Sequence, residues 1–182
     1  MKMEICICQL IPRIETATKI IVVVARREAS APTNTGRLAS MALKNSALLV
    51  RGDLENPYDL SVHIPANTTP LVLFPAEEAS VVNEDFLKSI VTPICLIVPD
   101  GNWRQANKMR RRDPHMAELR TIKLAPGTVS QYRVRAESQP EGLATIEAIA
   151  RALGVIETPA VQSSLELIFH KMVSRTMASR GR

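Results

Sequence analysis

Short, continuous β-branched runs that alternate with segments of helical period predict an α/β fold, with a mostly parallel sheet and helices on both faces. The run Lys19–Ala25 (KIIVVVA) lacks polar alternation, which marks a strand buried on both faces of a parallel sheet. The run at 94–98 (ICLIV) is of the same kind; it stops at Asp100 and Gly101, and a helical pattern carrying the only tryptophan begins at once. In open α/β sheets such a junction lies at the carboxyl end of a strand, where ligands bind between diverging loops, so Asp100 and Trp103 are expected at that crevice.

The remaining elements follow in order. Pro32, Thr33, Asn34, Thr35 and Gly36 offer cap residues ahead of an apolar helical pattern at Leu38, Met41 and Ala42. Residues 47–50 read as a short strand, and 51–69, polar and broken by Pro57 and Pro65, as a connection. Strand signal resumes at 70–75 (PLVLFP). Residues 77–79 and 83–91 read as helical, with Phe86, Leu87 and Ile90 on one face and Asn83 or Ser80 as cap. The helix at 102–112 is introduced by Asn102 with Gln105 three residues on, the pattern of a capping box. Residues 121–124 read as a strand that Ala125, Pro126 and Gly127 break. The segment 142–154 (GLATIEAIARALG) is periodic at Leu143, Ile146, Ile149, Ala150 and Leu153, with Gly154 suited to a left-handed cap. A last helix is expected from Pro159 to about residue 178.

At 182 residues the chain has the length of one domain. Hydrophobic residues make up 46% and charged residues 23%, which argues against wholesale disorder, while aromatics at 3% leave the core to Ile, Val, Leu, Ala and Met. The net charge of +5 favours polyanionic partners, and its distribution is more telling. Arg104, Lys108, Arg110, Arg111 and Arg112 crowd one helix, and Arg133 and Arg135 flank Val134 in an extended pattern. Cys6, Cys8 and Cys95 make an odd count, with Cys95 inside an apolar strand, so a disulfide framework is not expected. No window approaches the roughly 18 to 20 apolar residues of a membrane span, and a cytoplasmic protein with no obligate protein partner is expected.

Chemistry concentrates in two loops. Gly101 and Asn102 have an ordinary explanation in turning and capping the chain; the acid just after a buried strand and the sole tryptophan in the first helical turn do not. The loop Thr33, Asn34, Thr35, Gly36 and Arg37 reads equally as a helix cap or as a cradle for a polar or anionic ligand, with Arg37 placed to clamp an acid group. His63, His115 and His170 show no metal-ligand spacing. The chain has no G-x-G-x-x-G, no Walker-type loop and no G-x-S-x-G, so hydride transfer, phosphoryl transfer and acyl hydrolysis lose weight.

Taken in order, Pro32 to Ala39, Leu71 to Pro75, Asp100-Gly101-Asn102-Trp103, Tyr132 to Arg135 and Thr145 to Ile149 resemble the successive motifs of the DTW-domain proteins. The likeness runs from about Cys6 to about Gly154 and implies one DTW domain over 1–182, with 1–18 the remnant of a cysteine-rich segment and 159–182 a C-terminal helix. It implies a SPOUT-like sheet with a C-terminal knot. The activity implied is that of a tRNA-uridine aminocarboxypropyltransferase, in which S-adenosylmethionine gives its 3-amino-3-carboxypropyl group to N3 of a tRNA uridine and leaves as methylthioadenosine. A SPOUT-like methyltransferase and a non-catalytic RNA-binding domain are the competing readings.

By the same resemblance Asp100 and Trp103 are the catalytic candidates. Thr35, Leu73, Phe74, Pro75, Asp100, Gly101, Trp103, Leu124, Ala125, Tyr132, Leu143 and Thr145 are expected to hold S-adenosylmethionine. Arg26, Arg27, Arg37, Arg104, Lys108, Arg111, Arg133 and Arg135 are expected on tRNA phosphates. Asp100 is either the acceptor of the uridine N3 proton, a ligand of the donor, or an orienting group. Two positions depart from the family pattern. Asn102 stands where threonine is usual, and of a Cys-x-x-Cys ahead of a Cys-x-Cys only Cys6 and Cys8 remain, two thiols where a closed zinc site takes four ligands. No metal is therefore assigned.

Overall fold

The computed structural model describes residues 6–53, 55, 57–127, 130 and 142–179. Its strands are β1 (Lys19–Ala25), β2 (Ser46–Arg51), β3 (Thr69–Leu73), β4 (Ser80–Val81), β5 (Ile94–Asp100) and β6 (Arg120–Lys123). They form one sheet in the order β2-β1-β5-β3-β6-β4, and every pairing is parallel. The two unbroken apolar runs occupy the middle: Ile20 to Val24 of β1 are 0% exposed, and all seven residues of β5 are buried. A strand with neighbours on both sides and layers on both faces has no water-facing side, so it has no use for polar alternation.

Side chains of successive strand residues sort onto opposite faces. Ile20, Val22, Leu71, Leu73, Leu96, Val98 and Ile122 pack on one face beneath α2 (Thr35–Ala42), α3 (Glu84–Lys88), α5 (Thr145–Ile156) and α6 (Pro159–Ser179). Ile21, Val23, Val72, Cys95 and Ile97 pack on the other beneath α4 (Trp103–Arg112), through Ala106 and Met109. One helix does not cover that second face. Irregular chain completes it, with Leu60, Tyr58 and Ile64 from the 51–69 connection and Met116 and Leu119 after α4. Asp113, 4% exposed, binds these pieces together by accepting hydrogen bonds from Arg51 Nε at 3.1 Å, the Tyr58 hydroxyl and the His115 amide. Burial and this carboxylate push the Tyr58 phenol well above its ordinary range.

Four local expectations are corrected. Residues 77–78 form a turn rather than a helix, and Ser80 and Val81 pair with β6 as β4, too short a strand to show a period. The helix expected over 83–91 is capped by Asn83 as foreseen but ends at Lys88, where the Ser89 hydroxyl donates to the Phe86 carbonyl and closes the last turn. The helix expected over 142–154 starts at Thr145 and continues to Ile156. Gly154 is therefore no cap. A Cβ there would lie 2.0 Å from Gln162 Oε1 and 3.1 Å from Gln162 Cβ, so the missing side chain lets α6 fold back closely on α5. Glu157, just after α5, accepts from the Thr18 amide and hydroxyl at 2.6 Å each and ties that end to the entry of β1.

The buried Cys95 thiol is pushed up from 9.0 to about 11 by burial. Because the folded state then holds the proton more tightly than the unfolded chain, the stability it contributes is full below about pH 9 and is lost as pH rises through about 11. Native protein treated with iodoacetamide at about pH 8 should be labelled at Cys6 and Cys8 and not at Cys95 until denaturant is added. Mass spectrometry of the peptides reads this directly, and native labelling of Cys95 at the rate of Cys8 would contradict the packing.

Candidate functional site

The sheet opens at the carboxyl edge of β5. Strand β5 pairs with β1 as far as Val24 opposite Asp100, but with β3 only as far as Val72 opposite Ile97. Its last three residues therefore have a neighbour on one side only, and Pro99, with no amide hydrogen to offer, falls in that stretch. After β3 the chain turns away toward β4 on the far side of β6, while after β1 it runs through α1 (Arg26–Ala29) to α2 on the other side. Diverging loops on either side of one strand end make the crevice at which open α/β sheets bind ligands.

Asp100 stands at its floor, 5% exposed. Its Oδ2 accepts from the Asn34 amide nitrogen at 2.6 Å, and its Oδ1 accepts from the Thr145 hydroxyl. Asn34 is also the cap of α2, its side-chain oxygen accepting the Arg37 amide at 2.6 Å, and Thr145 is the first residue of α5. One carboxylate thus joins the ends of three elements. Each hydrogen bond to a charged group contributes about 1.5–3 kcal/mol, and burial makes their loss costly. Gly36 is what lets α2 come this close: a Cβ there would lie 2.8 Å from Asp100 Oδ2 and 2.9 Å from Val22 Cγ1. Next along α5, the buried Glu147 accepts from the Ala144 amide at 2.9 Å and from Ser130 Oγ at 2.5 Å, fixing the entry of that helix.

On the other face of the sheet the turn after Asp100 leads into an aromatic pair. Asn102 and Gln105 form the expected reciprocal capping box, at 2.9 and 2.7 Å, which starts α4 directly on Trp103. The Trp103 ring lies 4.9 Å from that of Phe74, the residue that follows β3. Arg110 closes the stack from behind, 5.4 Å over the Phe74 ring, and pairs with Glu78 at 2.7 Å. Its Nη2 donates to Asn107 Oδ1 at 3.3 Å, and its Nε is buried without a hydrogen-bond partner among the described residues, so the ring, Glu78 and Asn107 together hold this guanidinium. Lys123 donates to the carbonyls of Ala76 and Glu77 at 3.2 and 2.8 Å and pins the same loop from β6.

The other expected residues distribute as follows. Leu73 and Thr35 are buried, Gly101, Leu124, Leu143 and Thr145 half-buried, and Pro75 and Ala125 exposed. Arg26, Arg27, Arg37, Arg104, Lys108 and Arg111 are all exposed. Tyr132, Arg133 and Arg135 lie outside the described residues. A groove of about 510 Å³ lies along α4, lined by Arg104, Asn107, Lys108, Arg111 and Arg112. Among the described residues no group of three or more His, Cys, Asp or Glu is placed to hold a metal ion. Cys6 and Cys8 are free thiols, and two thiols do not make a closed zinc site, so none is assigned to them. No helix of the described residues is long and apolar enough to cross a membrane.

Sequence reasoning placed Asn34 and Gly36 in a candidate loop and Arg110 in a basic run, but not the contacts that all three make. Asn34 was legible as a cap but not as the partner of a carboxylate 66 positions away. Gly36 and Arg110 gave no signal beyond their types. Gly36→Ala should cost about 1–3 kcal/mol, the usual range for overpacking a buried site, read as a lower urea midpoint. A variant as stable as the parent would show that α2 does not press on Asp100.

Three curated relatives bear the name tRNA-uridine aminocarboxypropyltransferase 2. Those of Macaca fascicularis and Mus musculus are each 26% identical over 160 residues, covering 85% of this chain and 53% of theirs. That of Drosophila melanogaster is 28% identical over 103 residues, covering 56% and 40%. The chain spans about half the length, or less, of the curated relatives it matches. Among solved structures, the SAM-dependent rRNA:acp-transferase Tsr3 from Vulcanisaeta distributa shares the fold, with a TM-score of 0.52 at 18% identity over 93% of this chain and 84% of that one. The sequence profile described as the DTW domain matches residues 1–177, and with nearly the whole chain inside that match the protein belongs to the DTW-domain family.

Proposed function

We propose that this chain is a tRNA-uridine aminocarboxypropyltransferase, which moves the 3-amino-3-carboxypropyl group of S-adenosylmethionine to N3 of a tRNA uridine and releases methylthioadenosine and, to solvent, the N3 proton. The observation that carries the reading is the buried, hydrogen-bonded Asp100 that ends β5 at the carboxyl edge of a parallel sheet, three residues before the Trp103 that packs on Phe74, in a member of the DTW-domain family. The names of the relatives, and the fold shared with an acp-transferase, support it. With the reaction go a SPOUT-like C-terminal knot and a cytoplasmic setting.

The donor supplies a carbon already activated by a positively charged sulfur. The protein's task is accordingly to present one of the carbons on that sulfur to uridine N3 and keep the methyl away, which is a matter of orientation. Trp103 suits this, since aromatic faces attract a cation within about 6 Å, while Phe74, with Arg110 over its ring, backs the Trp103 ring. The backbone around Leu73, Phe74, Pro75, Leu124 and Ala125 frames the adenosine, Thr35 lies beside the transferred chain, and Gly101, Tyr132, Leu143 and Thr145 belong to the same donor site. Asp100 accepts a side-chain hydrogen bond at each oxygen, which favours a role as orienting group, holding Asn34, Thr145 and the turn to Trp103, over that of proton acceptor. Arg26, Arg27, Arg37, Arg104, Lys108 and Arg111, together with Arg133 and Arg135, contact tRNA phosphates.

Incubation with S-adenosylmethionine and unmodified tRNA should yield methylthioadenosine in step with loss of unmodified uridine. S-adenosylhomocysteine instead would mark a methyltransferase, and no turnover with intact RNA binding would mark a binding domain; either sinks the proposal. Trp103→Ala should weaken donor binding at least tenfold, a loss of about 1.4 kcal/mol, with tRNA affinity little changed. Unchanged turnover in that variant would put the donor site elsewhere.

A further inference from the structure

Helix α4 sorts its side chains onto three faces. Ala106 and Met109 are buried against the sheet, and Trp103 and Arg110 flank Phe74. Arg104, Lys108, Arg111 and Arg112 are exposed and line the groove of about 510 Å³ together with Asn107. Their spacing of four, three and one residues sets these four cations along one helical face over about 12 Å. None of the four forms an ion pair among the described residues, whereas Arg110, their neighbour, is paired with Glu78 and turned to the ring.

Folding alone does not account for this stripe. The macrodipole favours cations in the last turn, which covers Arg111 and Arg112, but the same field opposes a cation in the first turn, where Arg104 sits. Four like charges on one face also repel one another. A bound polyanion reverses both terms. The stripe holds none of the exposed large apolar side chains, which are Leu10, Met41, Val62, Val91, Val155 and Leu167, so it lacks the apolar anchor by which a helix settles into a lipid surface.

We propose that this groove is the track for the sugar-phosphate backbone of an RNA strand, with Arg104, Lys108, Arg111 and Arg112 on successive phosphates and the Asn107 amide as an added donor. Because Trp103 opens the same helix, the nucleotide at the crevice sits at the Arg104 end and its flanking phosphates run toward Arg112. The inference rests on the tRNA-modifying reading and adds Arg112 and a direction to it, while leaving Arg110 out of the RNA contact.

The test is the salt dependence of unmodified tRNA binding, by fluorescence anisotropy between about 50 and 200 mM KCl, for the parent and for the variant with Arg104→Gln, Lys108→Gln, Arg111→Gln and Arg112→Gln. Each lost phosphate contact on a single strand lowers the log-log slope by about 0.7, so the slope should fall by roughly two to three units and the affinity by more than tenfold. An unchanged circular dichroism spectrum shows that the variant folds; if it does not fold, Arg104→Gln alone should lower the slope by about 0.7. A slope that stays within about half a unit of the parent overturns the proposal, as does a variant that loses binding to anionic phospholipid vesicles while its RNA binding persists. Methylthioadenosine measured in parallel on the parent separates the two ideas. Turnover with an unchanged variant slope sinks only the groove, and a reduced slope without turnover sinks only the reaction.

Discussion

A carboxylate buried at the end of a central strand cannot be left without partners, and the site follows from that constraint. Asp100 is the last residue of β5, inside the sheet rather than beyond it, and a charge there stays only if hydrogen-bond donors meet it. Asn34 and Thr145 supply them from the starts of α2 and α5. Both helices pack on the same face of the sheet, and their starts must arrive at one point in register. Gly36 removes the side chain that would stand in the way, and the Asn34 oxygen, turned to the Arg37 amide, fixes which way its nitrogen faces.

On the other side of Asp100 the chain enters α4, and this helix does three things at once. Its inward residues cover a face that otherwise relies on irregular chain; its first residue forms an aromatic wall with Phe74; its outward residues make the basic groove. Arg110 lies between the last two and belongs to the wall, since its guanidinium is taken up by Glu78 and the Phe74 ring. A basic run read as one patch therefore divides into one arginine that stiffens the crevice and four cations that face solvent.

What the sequence disclosed depended on the range of the forces involved. The β-branched runs at β1 and β5, the Asn83 cap and the Asn102–Gln105 box are local matters, and each was legible from residues within a few positions. The run that precedes Asp100 placed it just after a strand, while the pairing with β1 makes it the last residue of that strand. The contact between Asn34 and Asp100 did not, because nothing within either segment encodes the other. Gly154 misled for a related reason: its role is set by Gln162 on the next helix, while its neighbours alone suggested a helix end. Strand β4, with two residues, is defined by its pairing to β6 and has no period to read. Arg112 and its alignment with Arg104 and Lys108 were legible from the expected 102–112 helix, whereas the turn of Arg110 to Glu78 and the Phe74 ring was not, since both partners lie more than 30 positions away.

The most direct test of the central claim, that Asp100 makes the starts of α2 and α5 one unit with β5, is a double-mutant cycle of Asn34→Ala and Thr145→Ala read by urea unfolding. The cycle cancels the separate loss of the α2 cap. If both groups hold the same carboxylate, the first deletion already loosens it and the second costs less, so the double variant should be destabilised by less than the sum, with a coupling of at least about 0.5 kcal/mol. Additivity within about 0.3 kcal/mol would contradict the account, since the two side chains would then act on separate parts of the molecule.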